Sequence, residues 1–214
     1  MKVAIPNALQ RFGTSFGYVV FASMINSIGD VATAAHTIAN TVESAFYIPG
    51  YGMQAAAATL AGYAYGAKDG RWLKRLGRTI LQIELLLMVV SGGALFLTAP
   101  PLVRLFSEHT AVVLLGVTVL RMVALSEPFY GVSIIIEGML QGMGRTVLPL
   151  ILNLAGMWGV RIVGSWICTQ VLGLGLVAAW GCMIAHNLFL FVVYFIFYLS
   201  GKWNPLQYKI KEKT

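Results

Sequence analysis

Glu127 and Glu137 are the residues in this sequence whose chemistry most needs explaining. Both fall within Ala111 to Gly142, an apolar stretch that also carries Arg121 and has Pro128 directly after the first glutamate. A charged side chain at the centre of a bilayer costs roughly 2.5–3.5 kcal/mol on insertion scales, so carboxylates placed there mark an ion or substrate path by default. Helical spacing gives that path a face. Ser126, Tyr130, Ser133, Glu137 and Gln141 recur at steps of four, three, four and four, which aligns them on one side of a helix. Glu127 lies beside the top of this stripe. Pro128 has no N–H to give the carbonyl of Ala124, which is left free for a partner or an ion. Interhelical hydrogen bonding, worth about 0.6 kcal/mol per bond on average, accounts for the serines but poorly for two glutamates.

A second stripe runs through His36, Asn40, Glu43, Tyr47, Tyr51 and Gln54, and its first four residues are candidates to line a cleft. Pro49 and Gly50 interrupt it and are expected to turn the lower part off the face. His36, near the outer interface, is read as a solvated imidazole rather than a switch. Arg121 and Arg161 are deep cations and candidate charge partners for the glutamates, whereas Arg11 and Glu84 are expected nearer the cytoplasmic ends, reaching for water. His186 and Asn187 are read as interhelical hydrogen-bond formers, and Cys168 and Cys182 as inert buried thiols without metal spacing or a disulfide framework. No phosphate loop, nucleophile elbow, zinc signature or dinucleotide fingerprint occurs. The sequence therefore offers no catalytic residue and no resident metal or cofactor, and it is not read as an enzyme.

The elements that must hold these residues are membrane helices. Of the 214 residues, 58% are hydrophobic and 11% charged, against about 25% charged in a soluble domain. A span needs about 20 apolar residues, and six stretches qualify: 7–28, 33–65, 76–99, 111–142, 146–171 and 174–200, followed by a basic tail, 201–214. The second and fourth are too long for one straight crossing and must tilt or kink. Each is read as one kinked span rather than two helices, because no charged turn separates its halves. The net charge of +7 is distributed by topology rather than as a nucleic-acid surface. Lys68, Arg71, Lys74, Arg75 and Arg78 crowd the loop after the second span, Arg145 follows the fourth, and Lys2, Lys202, Lys209, Lys211 and Lys213 flank the ends. The opposite loops hold Asp30, Arg104, Glu108 and His109. By the positive-inside rule both termini are cytoplasmic. No cleavable signal peptide is recognised. The glycine pairs Gly13 and Gly17, Gly62 and Gly66, and Gly138 and Gly142 are read as close-packing sites.

Several segments resemble one family. Gly138-Met139-Leu140-Gln141-Gly142-Met143-Gly144-Arg145-Thr146, then Pro149 and Trp158-Gly159-Val160-Arg161-Ile162, resembles the junction of the tenth and eleventh helices of multidrug and toxic compound extrusion (MATE) transporters. Ala34 to Asn40, Pro49, Gly62 and Gly66-Ala67 resemble their eighth helix, and Pro6 the proline opening their seventh. The resemblance follows essentially the whole chain in order and implies an all-α membrane protein: a six-helix bundle, the carboxy-terminal lobe of a two-lobe transporter. It implies efflux of small amphiphilic or cationic drugs across a bacterial inner membrane by alternating access, coupled to inward sodium or proton flow. The amino-terminal lobe would be the missing partner, as a parallel repeat about an axis along the membrane normal. In one branch of the family a glutamate on the seventh helix and an aspartate on the tenth bind the cation. Here the seventh-helix counterpart has no acid, Tyr130 stands in the aspartate's place, Glu127 is about one turn away, and Tyr63 replaces a family glutamine. The alternatives are transport by a parallel homodimer, a lipid-linked saccharide flippase-type lobe, and a non-transporting membrane subunit or remnant. A flippase would line its cavity with more cations than Arg121 and Arg161.

Overall fold

A chain with so little charge must pair its backbone polar groups internally, and helices do so locally. The computed structural model describes residues 3–206, and these form α1 (Ala4–Asn26), α2 (Asp30–Gly66), α3 (Gly70–Arg104), α4 (Thr110–Ala124), α5 (Glu127–Gly142), α6 (Val147–Val171) and α7 (Leu176–Leu199). No strand occurs among the described residues. Lys2, Lys209, Lys211 and Lys213 lie outside them. Helix α5 is the hub: residues 131–140 are all buried, packed among α2, α3 and α7, while α1 lies mainly on α6. One apolar cluster, around Phe21, Leu95, Leu120 and Trp180, fills one end of the bundle. Another, around Leu73, Ile135, Met139 and Tyr194, fills the other.

The fourth apolar stretch is broken into two helices, a sharper interruption than a kink within one helix, and the pair fits one broken span. α4 and α5 meet at a 53° bend around Leu125 and Ser126. No charged turn is needed, because Pro128, in the first turn of α5, cannot continue the hydrogen-bond ladder of α4. Pro49 acts differently: α2 runs unbroken through it. In the turn before the proline ring, the Phe46 carbonyl accepts a hydrogen bond from Ser91 Oγ of α3 (3.0 Å), so a neighbouring helix supports the proline turn.

α2 and α3 also extend beyond the expected apolar stretches. The Asp69 side chain accepts from the N–H groups of Arg71 (3.0 Å) and Trp72 (2.8 Å) and starts α3 six residues before the expected 76. Arg71, Lys74, Arg75 and Arg78 therefore ride on the first turns of α3 instead of in a loop. By length and apolarity, α3, α6 and α7 are able to cross a membrane, and α4 with α5 makes a fourth if counted as one broken span. α1 and α2 do not meet that criterion, so fewer than the six expected stretches stand as spans on composition alone; polar residues dilute both helices.

Small residues set the helix spacing. A β-carbon on Gly138 would stand 2.7 Å from the Gln54 carbonyl oxygen, and one on Gly62 would stand 2.8 Å from that of Gly142, so α2 and α5 touch through their backbones. Gly13 and Gly17 receive Leu154 and Met157 of α6, whereas Gly66 has nothing within 4 Å. α6 widens into π-type turns over Ala155–Ile162 and Ile167–Val171.

Candidate functional site

Glu137 sits where four helices converge. Its Oε1 accepts from Gln10 Nε2 of α1 (2.6 Å) and Gln141 Nε2 one turn on (2.8 Å), and its Oε2 accepts from Asn153 Nδ2 of α6 (3.1 Å). The Asn153 amide also donates to the Tyr194 hydroxyl of α7 (3.2 Å) and the Pro149 carbonyl (3.0 Å). Three amide donors on one buried carboxylate fix its rotamer and match its acceptor-only chemistry. Gln10 and Asn153 were not among the sequence candidates. The signal available was a lone amide in an otherwise apolar run, as in Leu152-Asn153-Leu154.

This network forms part of the wall of a cleft of about 810 Å³ bounded by α1, α2, α5 and α6. Tyr130, Glu137 and Gln141 line it as the stripe predicts, joined by Tyr51 and Gln54 from the lower part of α2. His36, Asn40, Glu43 and Tyr47, the four expected to line the cleft, do not, so the part of α2 below Pro49 meets it and the part above does not. Tyr47 is buried behind the lining residues, its ring 5.0 Å from that of Tyr130 and 6.3 Å from that of Tyr51. Arg11 and Tyr18 of α1 contribute a cation and a further ring. Asn7 Oδ1 and Gln10 Oε1 are buried acceptors without partners. A carboxylate, spare acceptors and phenol faces suit a ligand that brings positive charge or N–H donors.

Ser126 and Ser133 leave the stripe. Ser126 lies in the bend and donates to the Val123 carbonyl (2.9 Å), and Ser133 donates to its own helix at Phe129 (2.9 Å). Glu127 is not on the cleft either. The helix restarts at this residue, so Glu127 and Gly131 share the face toward α3. A β-carbon on Gly92 of α3 would lie 2.6 Å from the Ala124 carbonyl oxygen and 3.3 Å from Glu127 Oε2. Neither Glu127 oxygen has a hydrogen-bond partner, and the residue is fully buried. The carbonyl that Pro128 cannot reach thus lies beside an unpartnered carboxylate. Glu43 of α2, also buried, is close enough for its charge to act on Glu127. Asn40 is exposed.

Glu84 overturns the expectation of a snorkelling side chain. It is fully buried in mid-α3, both oxygens unpartnered, facing Gly50 of α2 and Gly131 of α5. Of the two candidate charge partners, Arg121 is not beside a glutamate among the described residues. Arg121 is exposed, directed at the Phe96 carbonyl (3.4 Å) and ring. Arg161 is buried between the rings of Phe21 (4.3 Å) and Tyr18 (4.7 Å), with one N–H on Met183 Sδ (3.1 Å). Aromatic faces flank its positive charge, which is also close enough to act on buried Glu43 of α2, so Arg161 keeps a glutamate within reach. His36 is half-buried, Nδ1 accepting from Trp180 Nε1 (3.2 Å), and is not the solvated imidazole expected. His186 packs on Gly156 with neither ring nitrogen bonded.

A family comparison fits this arrangement. The model of the MatE family matches residues 6–167. Over 214 residues, all of this chain, the identity is 29% to Probable multidrug resistance protein NorM of Thermotoga maritima, of which 46% is covered. Over 212 residues, 97% of this chain, it is 24% to Probable multidrug resistance protein YpnP of Bacillus subtilis, again with 46% covered. The chain thus spans about half the length of these curated relatives. Among solved structures, a MATE protein in the bent conformation superposes with a TM-score of 0.88 at 21% identity, covering 97% of this chain and 46% of that one. A multidrug resistance MATE family transporter of the MOP superfamily superposes with a TM-score of 0.83 in its inward-facing form (95% of this chain, 47% of that one) and 0.84 in its outward-facing form (96% and 46%), each at 21% identity. The likeness falls on the carboxy-terminal half of the matched proteins. The chain belongs to the MatE family, as an all-helical membrane lobe equivalent to the carboxy-terminal half of its relatives.

Proposed function

We propose that this lobe, paired with a second six-helix lobe, exports amphiphilic or cationic drugs by alternating access in exchange for sodium or protons. The observation that carries this reading is the cleft itself: a polar, ring-lined space with the Glu137 carboxylate in its wall, inside an apolar bundle. In this reading a cationic drug sits against Tyr18, Tyr51 and Tyr130 and is drawn by Glu137. The coupling ion is taken up at Glu127, where the Ala124 carbonyl and Glu43 supply further oxygens. Beyond the coupling ion, no cofactor is part of this reading. The two sites sit on different faces of α5, so occupation of one acts on the other by moving that helix. Relatives named as multidrug resistance proteins support the substrate class. Nearly equal likeness to inward- and outward-facing forms supports a lobe that moves as one body, the change of access occurring between lobes.

The test is extrusion of a fluorescent organic cation from cells lacking efflux pumps. The chain is expressed alone and with the amino-terminal half of the Thermotoga relative. Gradient-dependent extrusion is expected only from the pair, and it should fall at least tenfold with Glu127→Gln. Extrusion by the chain alone assigns transport to a homodimer. Pair activity untouched by Glu127→Gln removes Glu127 from coupling, and well-inserted lobes that never extrude defeat the reading.

A further inference from the structure

Cys168 on α6 and Cys182 on α7 are the two cysteines of the chain. Their sulfurs lie 3.7 Å apart, and both residues are half-buried. They serve neither the cleft nor the sealed carboxylates. Local structure brings them together. The connection between the helices is four residues long (172–175) and folds back through a hydrogen bond from Leu174 N–H to the Cys168 carbonyl (2.8 Å), with Gly173 at φ 63°. Gly164, one turn before Cys168, has no side chain to hold α7 away; a β-carbon there would lie 3.2 Å from Cys182 Sγ. A disulfide needs about 2.05 Å between sulfurs, so a shift of about 1.7 Å closes the gap. Cys168 also lies within the π-type segment Ile167–Val171, whose widened turn is open to such an adjustment.

Position favours oxidation. The connection after α6 lies at the end of the bundle opposite the basic cluster on α3, the end that the positive-inside rule places outside the cell, where disulfides persist. We propose that Cys168 and Cys182 form an intramolecular disulfide that pins the outer end of α6 to α7. The oxidant is an external disulfide. One cysteine thiolate attacks it, giving a mixed disulfide and one released thiol. The second cysteine displaces the remaining external thiol and forms the Sγ–Sγ bond. The protein loses two electrons and two protons, and the external disulfide becomes two thiols.

The test uses membranes carrying the full chain, treated with excess oxidised glutathione or with dithiothreitol, then denatured in N-ethylmaleimide and weighed intact. Denaturation exposes every thiol, so labelling reports chemistry rather than access. The oxidised chain is expected to take up no maleimide and to weigh two hydrogens less than the reduced chain before labelling; the reduced chain takes up two maleimides. Peptide mapping should find 168 joined to 182, and Cys168→Ser or Cys182→Ser should abolish the two-hydrogen loss. Two maleimide adducts after glutathione, or a bond only between separate chains, overturns the proposal.

Discussion

Glu137 is held by three amide donors, and that determines what its removal does. In Glu137→Gln one acceptor oxygen becomes an amide donor, so the N–H of Gln10, Gln141 or Asn153 loses its partner. An orphaned buried polar group costs about 1–3 kcal/mol. A lower melting midpoint in detergent is expected, with loss of drug binding to the cleft measured by fluorescence quenching. Unchanged melting and binding would take Glu137 out of the site. Glu84 predicts the reverse, since both of its oxygens are buried and unpartnered. Glu84→Met removes that desolvation and should raise stability by about 1–3 kcal/mol in denaturant titrations. A loss of that size would reveal a bound cation or proton that the carboxyl holds. The Glu137 stripe was legible in the sequence because its period matches a helix. Its donors were not, because Gln10 lies 127 residues away in sequence and only the packing of α1 on α6 brings it near. Glu84 was misplaced because hydropathy marks where a helix crosses but not which face a neighbour covers.

Elements here are positioned by backbone contact, and glycines test that directly. On Gly142 a β-carbon would overlap the Ala58 carbonyl. Gly142→Ala must therefore push α2 from α5 and should cost about 1–3 kcal/mol in thermal unfolding of this chain. Gly52, in the same α2 but with nothing within 4 Å, supplies the contrast: Gly52→Ala should be neutral or stabilising by up to about 1 kcal/mol. Equal effects at the two positions would refute the close α2–α5 contact. The helices and their order were readable from apolar runs, and the close-packed glycines, Gly66 excepted because nothing among the described residues packs against it, from their four-residue spacing. The breaks were not, because Pro49 and Pro128 are the same local signal with different outcomes. Pro49 is supported by Ser91 and leaves α2 continuous, while Pro128 ends up in the first turn of a new helix. The outcome depends on what a neighbouring helix offers, which lies far away in the sequence.

At the scale of the whole lobe, charge asymmetry and topology agree on a direction. Lys68, Arg71, Lys74, Arg75, Arg78 and Arg145 gather where α2 meets α3 and α5 meets α6, while Asp30, Arg104 and Glu108 occupy the other end. Arg145 also anchors the segment after α7, donating to the carbonyls of Lys202 (2.7 Å) and Trp203 (3.3 Å). That basic end, which Asn7 and Gln141 of the cleft lie near, should face the cytoplasm. The prediction is read with single cysteines in a background carrying Cys168→Ser and Cys182→Ser. Glu108→Cys, in the exposed connection before α4, and Ala67→Cys, exposed at the end of α2, occupy opposite ends. A membrane-impermeant maleimide on intact cells should label Glu108→Cys and leave Ala67→Cys untouched until the membrane is opened. The opposite pattern would invert the lobe. The cleft would then load from outside, which is incompatible with export, and the cysteine pair would lie in the reducing cytoplasm. One topology measurement therefore bears on both the transport reading and the disulfide, whereas the glutathione experiment bears on the disulfide alone.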